Sequence, residues 1–309
     1  MDMSKILIVG SGPVALYYGA LFSMYGYLVD HVNVSKRRKN NIIDSLFVVS
    51  ELPDFKYTYK VNFVSNLKPW KYNYIIVACE VKRANQICLF LQQGDTPTIV
   101  LTSCWNTYRR TGDITSPVIW GFPKILCESN DTFLKAVSSR SILINLKDEY
   151  NTPQKVKTFR KLFAKVKIKL QSVNLEYVYP YLFLLTTCMY AQLLNHQEAN
   201  SNNSIISPNK LVMEDCYADA YVLLAKKRKI PVNQAEFQTG IHWNPKLLIN
   251  TTELLLRDSK YSSSVTGWII DQLINYKRTK MQYFIKTILS DKNTNQLNRL
   301  RLTLQRYAK

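Results

Sequence analysis

Residues 5–15, KILIVGSGPVA, constrain this chain more than any other stretch. An apolar run passes directly into G-x-G-x-x-A, formed by Gly10, Gly12 and Ala15, and a helix-like sequence follows to about Gly26. In that order the residues specify a buried strand, a tight turn and a helix N-terminus, the first βα unit of a dinucleotide-binding half. Gly10 permits the turn, Gly12 lets a pyrophosphate approach the backbone, and Ala15 is small enough for the helix to pack closely on the strand. Pro13 suits the first helical turn, where its missing N–H costs nothing, and Val14 completes the turn whose amides would face the phosphates. A second strand is predicted over residues 27–34. The alternative is a glycine turn in some other α/β protein.

Basic residues come next. After the second strand the chain reads NVSKRRK over residues 33–39. The end of this strand is where such folds read the adenosine ribose: a carboxylate there accepts from the 2′-hydroxyl of NAD, whereas basic residues accommodate the 2′-phosphate of NADP. Asp30 lies mid-strand, too early for that role, so Lys36, Arg37 and Arg38 favour NADP(H), with a plain charged loop as the alternative. The whole chain shares the bias, with 41 Lys+Arg against 22 Asp+Glu and a formal charge of +19. Such a charge suits anionic partners, namely a phosphorylated cofactor, carboxylate substrates or nucleic acid, or else a solvated basic face. No nucleic-acid motif accompanies it, so no nucleic-acid partner is expected.

Further strands are predicted over 57–64, 74–78, 98–102, 117–120 and 141–145, with a helix over 80–92. Ligands bind beyond the carboxyl ends of parallel strands, which places Ala78, Cys79, Ser103 and Asn106 at the nicotinamide end of a cofactor, or in ordinary polar loops. A basic amphipathic helix starts at Pro153 and buries Val156, Phe159, Leu162 and Phe163, and 165–170 alternates as a half-exposed strand. Beyond Ser172 the pattern is mainly helical: a core helix over 181–194, a loop over 200–209, a long helix over 210–229, and helices containing 268–274, 282–289 and 295–304. The expected fold is thus α/β, with an N-terminal Rossmann-type doubly wound parallel sheet (1–173) and a mainly α-helical C-terminal domain (174–309) for substrate binding or dimerisation. Leu297, Leu300 and Leu304, between arginines, are read as core, with a homodimer contact or a membrane surface as the other options.

At 309 residues the chain can bury a sizeable core. No apolar run reaches the ~18 residues of a membrane span, and the glycine-interrupted first strand does not read as a signal peptide, so a cytoplasmic location is expected. The six cysteines have no C-x-x-C spacing and the three histidines are scattered, so no metal site is expected.

With these residues in view, the chain resembles the opine-metallophore dehydrogenases, the staphylopine and pseudopaline synthase group within the wider opine dehydrogenases. The matching stretches are MSKILIVGSGPVA (3–15), YIIVAC (74–79), VKIKL (166–170), YVYPYLF (177–183) and KIPVN (229–233) with Phe237. The resemblance implies metallophore-type biosynthesis: an NADPH-dependent oxidoreductase acting on CH–NH, joining an amino-acid-derived amine to an α-keto acid by reduction of their imine. It implies a catalytic histidine shortly before residue 177, but residues 172–176 contain none. The family's acidic partner falls near Cys127, with Glu128 adjacent, and the arginine for the 2′-phosphate falls at Val34. Glu128, Glu176 and Tyr179 are therefore the candidate catalytic acids, with Tyr177 as a further option. A second resemblance, to ketopantoate reductases, rests on the same architecture and on Asn106; it implies a 2-keto acid reductase. The missing histidine allows a third reading, a non-catalytic NADP-binding module.

If Lys36, Arg37 and Arg38 surround the 2′-phosphate, NADPH should bind at least tenfold more tightly than NADH, or ~1.4 kcal/mol. Neutralising all three should erase the preference and leave NADH binding nearly unchanged. Equal affinities of the parent protein for the two cofactors, measured by titration, would sink the assignment.

Overall fold

In the computed structural model, residues 4–33, 46–51, 55–79, 81–91, 95–102, 118–129, 133–201, 210–250 and 278–308 are described. They fall into two compact units, the chain passing from the first to the second between Leu175 and Glu176.

The first unit is built on one nine-stranded sheet in the order β2-β1-β5-β6-β7-β8-β3-β4, with β9 also paired to β8. Its Rossmann half comprises β1 (Lys5–Val9), β2 (Leu28–Val32), β5 (Tyr74–Val77), β6 (Thr98–Leu101) and the start of β7 (Val118–Ser129), all parallel. Buried on both faces, β5, β6 and the start of β7 read as apolar runs, as does β1 after Lys5, whereas β2 carries Asp30 and His31. Beyond this half the sheet becomes mixed. β7 turns back antiparallel onto β8 (Phe133–Asn145), and β8 carries β3 (Leu46–Glu51) beside its first residues and β9 (Lys169–Val173) beside its last. β4 (Phe55–Lys60) pairs with β3.

Three sequence expectations change here. The strands predicted over 117–120 and 141–145 are the ends of a long hairpin, which Gly121, Pro123 and the serines 138, 139 and 141 disguise as breaks. Those residues do interrupt the ladder: the register shifts after Pro123, and Arg140 opposite adopts a left-handed φ of 51°. Such an irregularity bends the strands rather than ending them. The single strand predicted over 57–64 is two segments, β4 and then residues 61–64, which leave β4 and join β2: the His31 amide donates to Asn62 O and the Val64 amide to His31 O, both 2.8 Å. The strand predicted over 165–170 begins only at Lys169. Val166 and Ile168 are buried, but in the C-terminal turn of a helix, where the Ile168 amide bonds Phe163 O and Lys167 takes the left-handed position usual for glycine.

The joining of residues 61–64 to β2 brings the sheet round α1 (Pro13–Met24). This helix has no charged residue, and Ala15 through Phe22 are buried without a break. Such a helix has no face to offer water, so it needs cover on all sides. It touches β1, β2, β4, β7 and β8, and Tyr18 and Phe22 meet Phe163 of α4 (Pro153–Lys165) edge-on. The opposite face of the Rossmann half packs Leu7, Val9, Val77, Val100 and Trp120 against Ala84 and Cys88 of α2 (Val81–Leu91). In α3 (Leu146–Asn151) the wholly buried Asp148 accepts from the Trp120 amide at 2.9 Å.

The second unit is helical: α5 (Leu175–Ser201), α6 (Lys210–Val222) continuing into a π turn over Leu223–Lys227, α7 (Val232–Thr239), α8 (Arg278–Leu289) and α9 (Asn298–Arg306). α5 contains the predicted 181–194 core helix and extends it at both ends. Its core polar groups are paired: Tyr181 donates to Ile241 O (2.7 Å), Gln192 to Ile249 O, Tyr217 to Gln192 and the Trp243 indole to Tyr217 O. The carboxylate of Asp219 on α6 accepts from the Arg299 and Leu300 amides, capping α9 from outside the helix. Leu300 and Leu304 are fully buried, so the terminal leucines seal this core. The predicted loop 200–209 and helix 268–274 lie largely or wholly outside the described residues.

Where the sheet closes, His31 is wholly buried, with Nδ1 3.3 Å from Gly10 O and Nε2 2.8 Å from the Tyr59 hydroxyl. Burial lowers its imidazole to about 4 from 6.5, against the opposing pulls of Gly10 O and the Asp30 charge. The unfolded chain therefore binds a proton that the folded chain refuses between pH 6.5 and about 4. Stability from this group is complete above pH 6.5, falls as pH drops through that window, and reaches a total loss on the order of 3 kcal/mol. Denaturant titrations of the parent and of His31→Asn should show this slope in the parent and its absence in the variant; parallel pH profiles would contradict the assignment.

Candidate dinucleotide site

The carboxyl ends of β1, β5 and β6 lie side by side, since Val9 is level with Val77, and Val77 with Val100. Over this edge the chain makes the turn that the glycine spacing predicts. Gly10 has φ +144°, and its amide donates to Val32 O at 2.9 Å. A Cβ at this position would fall 2.3 Å from Ala78 O and 3.3 Å from the Ala15 Cβ. The fold itself therefore requires glycine at residue 10 and a small residue at 15. Gly12 differs: it is extended, precedes α1 as its N-cap, and among the described residues a Cβ there would have no heavy atom within 4 Å. It borders open space.

The first turn of α1 has Pro13 at its start, no acidic residue and no capping side chain. Its backbone amides thus keep the positive end of the helix dipole for an anion. Val14 is half-buried against the inner core, and Ala15 is fully buried. Beside the turn, the Ser11 hydroxyl donates to Asn33 Oδ1 at 3.0 Å, so the residue just past β2 is an amide and not a carboxylate. Asp30, two residues before the end of β2, is held by Asn62 Nδ2 and by the Tyr72 hydroxyl at 2.8 Å. Burial, then that carboxylate, pushes the Tyr72 phenol up.

Ala78 and Cys79 follow β5 directly, the first buried and the second half-buried. Beneath them Cys88 is pushed up to about 12 by burial and then by Cys79, which keeps it a thiol. Thr102, past β6, donates its amide to Gly121 O. Lys36, Arg37, Arg38, Ser103 and Asn106 lie outside the described residues. Glu128 is in β7, its backbone paired with Lys135. It is seven residues past Gly121, which is level with Leu101, so roughly 20 Å of extended chain separates it from the end of β6. Glu176, half-buried, and Tyr179, buried, sit three residues apart in the first turns of α5 in the second unit, with Tyr177 half-buried between them.

Two residues of the first unit escaped the sequence reading. His31 was only one of three scattered histidines, and nothing in a β-strand pattern marks a buried one. Lys124 lies three residues past Gly121, and the strand alternation puts it on the face opposite the buried Ile125. Burial lowers its ammonium. A lysine inside the apolar run GFPKIL was the available signal. Among the described residues no group of His, Cys, Asp and Glu could hold a metal ion, and no helix is long and apolar enough to cross a membrane.

No family model matches this chain, and no curated protein matches it. Solved structures do. A 2-dehydropantoate 2-reductase from Geobacter metallireducens GS-15 superposes with a TM-score of 0.59 at 13% identity, covering 98% of both chains. The fold is that of the ketopantoate reductases. A PanE/ApbA family ketopantoate reductase from Ralstonia eutropha JMP134 gives 0.56 at 14% identity over 99% of this chain and all of that one. A D-mandelate dehydrogenase, solved with NADH and anilino(oxo)acetate, gives 0.56 at 11% identity over 98% and 99%. Of the two resemblances in the sequence, the one to ketopantoate reductases thus has structural support at the level of fold, along the whole chain.

Because a side chain at residue 12 would enter open space, Gly12→Val should leave the melting temperature nearly unchanged while abolishing dinucleotide binding. Gly10→Ala should instead lower the melting temperature, through its clash with Ala78 O. A Gly12→Val protein that binds NADPH like the parent would show the turn to be purely structural.

Proposed function

We propose that this chain is an NADP(H)-dependent reductase of a 2-oxo acid. The observation that carries the reading is the uncapped, acid-free N-terminus of α1 behind Gly12, open above the carboxyl ends of the parallel strands, in a chain whose full length follows the ketopantoate reductase fold. Gly12, Val14 and Ala15 would hold the pyrophosphate. Lys36, Arg37 and Arg38 would hold the 2′-phosphate, and Asn33 with an already engaged Asp30 supports that choice over a ribose-binding carboxylate. Ala78, Cys79, Ser103 and Asn106 would line the nicotinamide end. When bound, the dihydronicotinamide supplies the hydride for the carbonyl carbon.

The protein must supply two further things, a cationic surrounding for the carboxylate and a proton for the carbonyl oxygen as it becomes a hydroxyl. A charge of +19 supports the first. Glu128, Glu176 and Tyr179 are the candidates for the second. The imine of the same acid with an amine needs the same hydride, with the proton delivered to nitrogen; this is the opine-type variant, in which the amine becomes a second substrate.

A screen of NADPH oxidation over pyruvate, glyoxylate, 2-oxoglutarate and 2-dehydropantoate, each with and without amines, should give turnover with an oxo acid alone. Turnover only when an amine is present would move the assignment to opine formation. Tight NADPH binding with no turnover on any pair would leave a cofactor-binding module. Where turnover occurs, Glu128→Gln, Glu176→Gln and Tyr179→Phe identify the proton donor as the one whose loss costs at least about tenfold in kcat.

A further inference from the structure

The glycine turn rests on His31, a wholly buried side chain that reaches the Gly10 carbonyl. The hydrogen-bond directions follow from the atoms. Gly10 O can only accept, so His31 Nδ1, 3.3 Å away, carries the proton. A neutral imidazole then has a lone pair on Nε2, and the Tyr59 hydroxyl 2.8 Å away is its donor. The chain of donation runs from Tyr59 through His31 to Gly10. Its position is fixed on every side: a Cβ on Gly19 of α1 would fall 2.4 Å from Nε2 and 2.8 Å from the Tyr59 hydroxyl, and the Phe63 ring lies 5.7 Å from the imidazole. The His31 backbone is held at both ends by residues 62 and 64.

The carbonyl that His31 grips belongs to the same planar unit as the Ser11 amide. In a trans peptide the C=O and N–H point in opposite directions, so fixing one fixes the other. With Gly10 O turned toward His31, the Ser11 N–H is turned away from it. Rotation about the Gly10 Cα–C bond turns this plane, and glycine, with no Cβ, restrains that rotation less than any other residue.

We propose that His31 is the positioning residue of the turn, locking the Gly10–Ser11 peptide so that its N–H is set for the cofactor's phosphates before binding. This rests on the dinucleotide reading above. A purely structural histidine would affect stability alone; a positioning histidine affects affinity through one specific donor. His31→Asn keeps an N–H donor at the Nδ1 position and loses the Tyr59 bond, His31→Leu loses both, and Tyr59→Phe loses only the outer link.

NADPH titrations of folded proteins, followed by cofactor fluorescence, should show His31→Leu weakened at least about tenfold and His31→Asn and Tyr59→Phe within about threefold of the parent, although both melt lower. Nitrogen NMR of the parent should find the imidazole proton on Nδ1. A folded His31→Leu with parental affinity, an Asn variant as weak as Leu, or a proton on Nε2 would each overturn the proposal, and the NMR test stands even where a variant fails to fold. A parent that binds neither NADPH nor NADH would instead remove the dinucleotide reading, and this proposal with it.

Discussion

The burial of α1 governs the first unit. A twelve-residue helix without a charged side chain cannot lie on one face of an open sheet, as the first helix of a Rossmann half ordinarily does, because its outer face would remain in water. Here the sheet supplies the missing cover. The bent hairpin of β7 and β8 carries β3 and β4 to the other side of the helix, and residues 61–64 then run along the free edge of β2. Edge strands are exposed hydrogen-bonding rows, and this arrangement satisfies one of them while covering the helix.

The same closure bears on the candidate site. It brings Tyr59 of β4 to His31 of β2, and His31 to the turn at Gly10. A residue whose backbone completes the sheet thus has its side chain at the turn before α1. The two glycines of that turn answer to different demands. Gly10 is dictated by the protein's own backbone, with Ala78 O where its Cβ would stand, whereas a Cβ on Gly12 would meet no atom of the described residues.

The second unit is stabilised by paired polar groups within an apolar helix cluster. Tyr217 donates to Gln192, Gln192 donates to a carbonyl, and the Trp243 indole donates back to the Tyr217 carbonyl. Buried polar groups are costly unless satisfied, and satisfied they select one packing among many. The cap that Asp219 gives α9 acts similarly, fixing where the last helix begins against α6.

Local sequence determined what depends on neighbours in the chain: the parallel strands β1, β5 and β6, the turn at Gly10 and Gly12, the helix start at Pro13, the buried stripe of α4 and the core helix within α5. Each follows from periodicity, from glycine's freedom or from proline's fixed geometry, which act within a few residues. Only the tertiary structure decided that β7 and β8 are one bent hairpin, that 61–64 joins β2, and that residues 166–168 close a helix instead of starting a strand. It also decided how far His31 and Lys124 are withdrawn from water. Pairing between strands and the burial of a single polar residue depend on partners about 20 to 40 positions away, as with His31 and Tyr59, and no local period encodes which distant partner will satisfy a given hydrogen bond.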